Sequence, residues 1–276
     1  MPSKVVLTAG TMLSCIPAIA TAGIHLDDMY FVDHRRYINF IDGETLVSTT
    51  VGRLLSGGDI NEIAYIGNDT ILANMTFGVV KYDLNTGIQE TLFTSDEVGG
   101  PGSLTFMSGV ARRSNGEYYM NVSVQRAAGH EEYGISYNLE TGDLSYVGPT
   151  PHTIPNDVYE LADGTMLATR TISHEDWIVR YNPMTGEEIA LYEIDFTPTA
   201  FVQSESELHI VSQLGFIHTF DLSDGSTTFY GRITGEFYGQ IMGATNANAN
   251  IPLIPAPHSL SMLALSASIG FTRRRR

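Results

Sequence analysis

Cysteine is all but missing from this chain: among 276 residues there is only Cys15, and it lies in a leader expected to be removed. Disulfides and cysteine-ligated metals therefore have no part in the mature fold. Charge is sparse and one-sided, with 15 Lys+Arg against 31 Asp+Glu and a net charge of -16. Binding nucleic acid requires clustered cations that release counterions. Here Arg35-Arg36 and Arg112-Arg113 are scattered pairs in the body and read as solvated faces, so no nucleic-acid partner is expected. The strong catalytic signatures are also lacking: there is no G-x-S-x-G elbow and no phosphate-binding glycine loop ending in Lys-Ser/Thr. His130-Glu131-Glu132 has Gly134 where a zinc helix would place its second histidine. His174-Glu175-Asp176 reads as a polar turn, and His209 and His218 as hydrogen-bonded strand residues.

What the chain has is repetition. An aromatic residue, a short polar stretch and a glycine recur as YDLNTG from Tyr82, YNLETG from Tyr137, YNPMTG from Tyr181 and FDLSDG from Phe220, with a shortened FIDG from Phe40. Strand side chains alternate with a period of two, so Ile38, Val80, Ile135, Val179 and His218 share a face with these aromatics. The intervening Asn39, Lys81, Ser136, Arg180 and Thr219 point the other way, which predicts a half-buried strand running into a tight turn. The copies lie roughly 39 to 55 residues apart, the period of a propeller blade. With 27 glycines and a hydrophobic content of 43%, the predicted fold is all-β, a β-propeller of five four-stranded blades.

The first unit yields three strands, Met29 to Asp33, Tyr37 to Ile41 and Leu46 to Thr50, and is one short. Later units read as four; the second runs through Asn61 to Ile66, Thr70 to Met75, Val79 to Leu84 and Gln89 to Phe93. A leftover strand, Glu236 to Ala244, has no unit of its own. It is expected to complete the first blade, closing the ring between the chain's two ends and removing exposed sheet edges. The third unit is longer, and the reading places its extra residues in a loop, Arg126 to Gly134, as an insertion on a rim. Six blades are the alternative, if Gly52 to Asp59 or that insertion hides further strands.

Both ends differ from the body. Lys4, an uncharged run and Ala20-Thr21-Ala22 read as a secretory signal over residues 1–22 with cleavage after Ala22; Leu13-Ser14-Cys15 as a lipoprotein box is the second reading. The propeller is assigned to 23–244 and a linker rich in Asn and Ala to 245–254. Residues 255–276 comprise Pro255-Ala256-Pro257, an apolar run and Arg273, Arg274, Arg275 and Arg276. The run is shorter than the roughly 20 residues of a stable span, and terminal arginines stay cytoplasmic, so a transient membrane anchor is expected. This tail resembles the PEP-CTERM sorting signal of Gram-negative bacteria, with Ala256 where that family usually has glutamate. The resemblance implies an exosortase-type sorting enzyme as partner, cleavage near the Pro-x-Pro, and export to the cell surface, outer membrane or exopolysaccharide layer.

Pro155-Asn156-Asp157-Val158, followed by Asp163-Gly164, resembles a segment of the calcium-dependent gluconolactonase and related sugar-lactone hydrolase propellers. That resemblance implies Asn156 as a calcium ligand facing the central channel, and Glu62, opening another inner strand, could add a carboxylate. The same residues also read as ordinary propeller turn chemistry. The leading expectation is a non-enzymatic surface or matrix module, needing no cofactor, that presents a propeller to an extracellular polysaccharide or a surface protein. An acidic body is expected to repel an anionic polysaccharide unless divalent cations bridge the two. The alternative is a calcium-dependent lactone hydrolase.

Overall fold

The repeated phrase sets the local geometry of every blade. In a computed structural model that describes residues 26–55, 58–127, 129–151, 157–172, 174–204, 207–248 and 253–255, its second residue caps a turn. The side chains of Asp83, Asn138, Asn182 and Asp221 each accept backbone N–H groups two or three residues on. The closing glycines, Gly87, Gly142, Gly186 and Gly225, take φ of 70°, 77°, 71° and 79° and donate to the carbonyl of the capping residue. That left-handed conformation is nearly free only for glycine.

In the first unit the match is shifted by one residue. Asp42 is the cap, accepting from Thr45, and Leu46 donates to its carbonyl at φ 55° where the other copies have glycine. The counterpart of Tyr82 is thus Ile41, fully buried, and Phe40 is only half-buried.

These turns link antiparallel strands into five blades. Blade 1 contains β1 (Met29–Asp33), β2 (Tyr37–Ile41) and β3 (Val47–Arg53). Blade 2 contains β4 (Ile60–Gly67), β5 (Thr70–Met75), β6 (Gly78–Asp83) and β7 (Gln89–Thr94). A one-turn helix, α1 (Ser95–Gly99), follows it, held by a capping box between Thr94 and Glu97. Blade 3 has β8 (Leu104–Arg112), β9 (Tyr118–Arg126), β10 (Gly129–Tyr137) and β11 (Leu144–Pro149). Blade 4 has β12 (Val158–Glu160), β13 (Met166–Ile172), β14 (Glu175–Tyr181) and β15 (Glu188–Ile194). Blade 5 has β16 (Pro198–Ser204), β17 (Glu207–Ser212), β18 (Phe216–Phe220) and β19 (Thr227–Arg232). A two-residue strand, β20 (Thr234–Gly235), then pairs in parallel with the outer edge of β3.

The last strand, β21 (Ile241–Asn246), pairs antiparallel with β1 and becomes the inner strand of blade 1. The ring is thus a five-bladed β-propeller closed by its C-terminal strand. The closing strand starts five residues later than Glu236 and runs two past Ala244; residues 236–240 instead cross from blade 5 to the axis. Beyond β21 the chain returns to the ring, where Ile254 is buried and its carbonyl accepts from Ala162 at 3.1 Å.

Two other expectations are corrected. The predicted loop from Arg126 to Gly134 is an extended hairpin: β9 and β10 stay paired from Tyr118↔Tyr137 to Arg126↔Gly129. The pairing continues to the tip of the hairpin, where β10 is exposed from Gly129 to Glu131 and shows no alternation of buried and exposed residues. The polar faces of three repeat strands are covered, since Asn39, Ser136 and Arg180 are buried, whereas Lys81 and Thr219 are half-buried as expected. Propeller blades stack face to face, so both faces of a middle strand are covered. Five apolar clusters follow from this, one between each pair of neighbouring blades. These three buried side chains are paired: Thr50 donates to Asn39, Ser136 to Glu117, and Arg180 to Asp163 at 2.7 Å. No helix among the described residues is long and apolar enough to cross a membrane.

Candidate functional site

The inner strands β21, β4, β8, β12 and β16 surround the axis, and the residues they turn inward define what the centre can do. Glu62, the third residue of β4, is 1% exposed. Asp157, immediately before β12, is 2% exposed, and the two carboxyls face each other. Glu62 Oε1 accepts the N–H of Ile63 at 2.9 Å, and the N–H of Ala244 in β21 also points at this carboxyl. Asp157 accepts Val158 N–H at 2.6 Å and, from blade 5, Phe201 N–H at 2.5 Å; its own N–H donates to Thr169 at 2.9 Å. Backbone donors from blades 1, 2, 4 and 5 thus converge on one carboxyl pair. Blade 3 is tied in by asparagines of blade 2: Asn61 Nδ2 donates to the Met107 carbonyl at 2.6 Å and Asn74 Nδ2 to that of Gly109 at 3.2 Å.

Burial pushes the Glu62 carboxyl well above the ordinary range, and the neighbouring Asp157 charge raises it further. Burial pushes Asp157 up to about 8 against the opposing effect of its N–H donors. Both carboxyls are therefore held toward their protonated forms, as carboxyls taken out of water are. Oε2 of Glu62 has no partner of good hydrogen-bond geometry. The fit around Glu62 leaves no room: a Cβ on Gly243 of β21 would lie 2.3 Å from Glu62 Oε1 and 2.7 Å from its Cα.

This plug divides the axis into two vestibules. One, of about 280 Å³, is lined by Asn61, Phe106, Met107, Ser108, Thr199 and Met242, residues at the starts of inner strands. The other, of about 100 Å³, lies beyond the plug among Tyr65, Arg112, Tyr159, Gln203 and Asn246. The outer carboxylate of blade 4 is also spent on structure, since Glu160 accepts from Ser114 N–H at 2.6 Å and pairs with Arg113 at 3.1 Å.

Of the residues singled out in the sequence, Glu62 is where an inner-strand position should put it. Asn156 lies outside the described residues, as do Ala20, Ala22, Ala256, Pro257 and Arg273 to Arg276; Pro255 alone of the processing residues is described. Asp157 went unassigned, although it adjoins Asn156 and a buried carboxylate before a strand was its only signal. The described residues do not make a calcium cage. Such a cage needs six or more oxygens with free lone pairs. Here two carboxyls face backbone N–H groups, and no group of three acidic or histidine side chains is placed to hold an ion among the described residues. His130 lies on β10, with Nε2 2.5 Å from Ser123 Oγ and 3.6 Å from Glu132. His209 and His218 are strand residues and His174 sits in a turn at φ 75°.

No family model matches the sequence, and no curated protein matches it. The fold is similar to that of solved propellers. A chain of a nidogen/laminin complex aligns with a TM-score of 0.52 and 13% identity, over 81% of this chain and 81% of that one. A putative gluconolactonase aligns at 0.49 and 13%, over 77% and 79%. The calcium-binding protein regucalcin from Agrobacterium tumefaciens aligns at 0.48 and 14%, over 87% and 82%. At these identities the likeness is one of fold.

Proposed function

We propose that this protein is an exported binding module of the cell surface or extracellular matrix, delivered by residues 1–22 and sorted through residues 255–276 by an exosortase-type enzyme. The observation that carries the binding reading is the plug. Glu62 and Asp157, the carboxyls at the place where a propeller enzyme would put its chemistry, are committed to backbone N–H groups of four blades. They lock the ring, and recognition is left to the rims. A pull-down of extracellular glycans and matrix proteins with the purified protein, run beside a screen for lactonase and esterase turnover, tests this. Retention of a partner without turnover is expected; turnover with nothing retained overturns it. The processing reading predicts a mature chain starting at Gly23 and lacking Arg273 to Arg276. Intact mass of the protein from its own host checks it.

The second reading, a calcium-dependent sugar-lactone hydrolase, is favoured by one feature, the buried carboxyl of Glu62 at the axis. Calcium would have to displace N–H donors from Glu62 and Asp157 and recruit Asn156. A shift of melting temperature with millimolar calcium, abolished in Asn156→Ala, is the result that would favour it.

A further inference from the structure

Blades 5 and 1 are neighbours with a common apolar core, and their rim carries a repeated arrangement. In blade 1, Tyr37 opens β2 and Arg53 closes β3 as its cross-strand partner, with the guanidinium 4.9 Å from the ring centroid. In blade 5, Phe216 opens β18 and Arg232 closes β19 in the same register, at 5.1 Å. The 236–240 crossing adds a third pair: Tyr238 packs 5.2 Å from Tyr37, and Arg35 lies 5.3 Å over the Tyr238 ring. Arg35, Arg53, Arg232 and Tyr238 are exposed.

These arginines differ from four others in the body. Arg113, Arg126, Arg170 and Arg180 are each paired with an acid. Among the described residues Arg35, Arg53 and Arg232 have none. In a chain of net charge -16, three guanidiniums without an acid partner thus lie at strand ends along one rim. Glu236, the acid on this crossing, is turned onto Thr50 N–H at 3.2 Å. The rim is also built in advance of any ligand. The fully buried carboxylate of Asp33 accepts the N–H groups of Arg35, Tyr37 and Tyr238 at 2.9, 3.0 and 3.0 Å.

We infer that this rim binds an anionic polysaccharide with carboxylate-bearing sugars, a ligand class that rests on the binding-module reading and sharpens it. A guanidinium stacked on a ring keeps its N–H edge free for a carboxylate, which it can grip with two parallel bonds. The Tyr and Phe faces between the guanidiniums match the apolar faces of pyranose rings. A phosphate chain offers denser charge, which the acidic body around the rim repels. Direct arginine contacts also make bridging divalent cations unnecessary, contrary to what net charge alone predicts.

The test uses the full chain and polygalacturonate as probe, measured by calorimetry and affinity electrophoresis in the presence of EDTA, with dextran and oligo(dT) as comparison ligands. Polygalacturonate should bind with chelator present and weaken as salt is raised. Arg53→Ala with Arg232→Ala, and separately Tyr238→Ala, should each weaken it about tenfold or more. Arg126→Ala, which removes a cation already paired with Glu131, should bind like the parent. Unchanged melting temperatures confirm that the variants are folded. Equal binding by all variants, no binding of polygalacturonate, or oligo(dT) bound as tightly overturns the inference. If a neutral glycan or a protein is retained regardless of these substitutions, the binding-module reading stands and the rim assignment falls.

Discussion

The buried carboxylate of Asp33 accepts the N–H of Tyr238 at 3.0 Å, joining residues 205 positions apart at the seam where the ring closes. Its other oxygen holds Arg35 and Tyr37, so one side chain fixes both the β1–β2 turn and the strand crossing that faces it. Asp33→Ala would leave three backbone donors without their acceptor at a partly buried seam. Each hydrogen bond to a charged group contributes about 1.5–3 kcal/mol, and water recovers part of that here. We expect a loss of about 2–4 kcal/mol in chemical denaturation, together with weaker polyuronate binding. Asp33→Asn should lose less, since it keeps one acceptor.

Closure itself is the second prediction. Without β21, β1 would present an unpaired inner edge, and Glu62 would lose its Ala244 donor. Ile241 and Ala244 would also leave the cluster that joins blades 1 and 5. A chain ending at Gln240 should therefore show no cooperative melting transition. A truncated chain that melted like the parent would mean the blades stand without the ring.

Much of this architecture was legible because blades repeat. The polar cap and glycine recur wherever a strand must turn through a left-handed residue, so the turn chemistry marked four units directly. The first unit was misaligned by one position because Leu46 occupies the glycine's place, and FIDG offered a glycine that belongs elsewhere in the turn. The hairpin from Arg126 to Gly134 was mistaken for a loop because Gly129, His130 and Glu131 are all exposed at the rim and carry no alternation. The axis was half legible. Glu62 stood out as a carboxylate in an apolar strand, but its partner Asp157 is brought to it by ring geometry from another blade. The rim was hidden for the same reason: Arg53 and Tyr37 are cross-strand partners, and Tyr238 reaches them only through closure.

The fit at the axis gives a third prediction. A methyl group on residue 243 would overlap both the Glu62 carboxyl and its backbone, and the β4 backbone cannot yield without disturbing the neighbouring blades. Gly243→Ala should cost about 1–3 kcal/mol, the range for overpacking a filled interior. Asp157→Ala acts on the same place from the opposite side, stranding the N–H groups of Val158 and Phe201, and should cost about 2–4 kcal/mol. The two substitutions meet at Glu62, so their combined effect should depart from the sum of the single ones.

The last prediction concerns acid. His209 is fully buried in β17, with Nδ1 3.3 Å from Thr219 Oγ1, its ring edge-on to Tyr230, and Glu207 3.8 Å from Nε2. Burial pulls its pKa down to about 4, against a smaller upward pull from Asp27. The unfolded chain protonates this residue near the ordinary 6.5, so between those values the unfolded state binds more protons than the folded one. The neutral ring's stability is therefore fully present above pH 6.5 and lost as pH falls through that window to 4, by about 3 kcal/mol. Other buried groups titrate too, so the clean measurement is a difference. Urea denaturation of the parent and of His209→Asn, repeated from pH 7 to pH 4, should show the parent's stability falling relative to the variant by about that amount. A constant gap across the range would mean that the folded protein accommodates a charged His209, with Glu207 or Asp27 as its counter-ion.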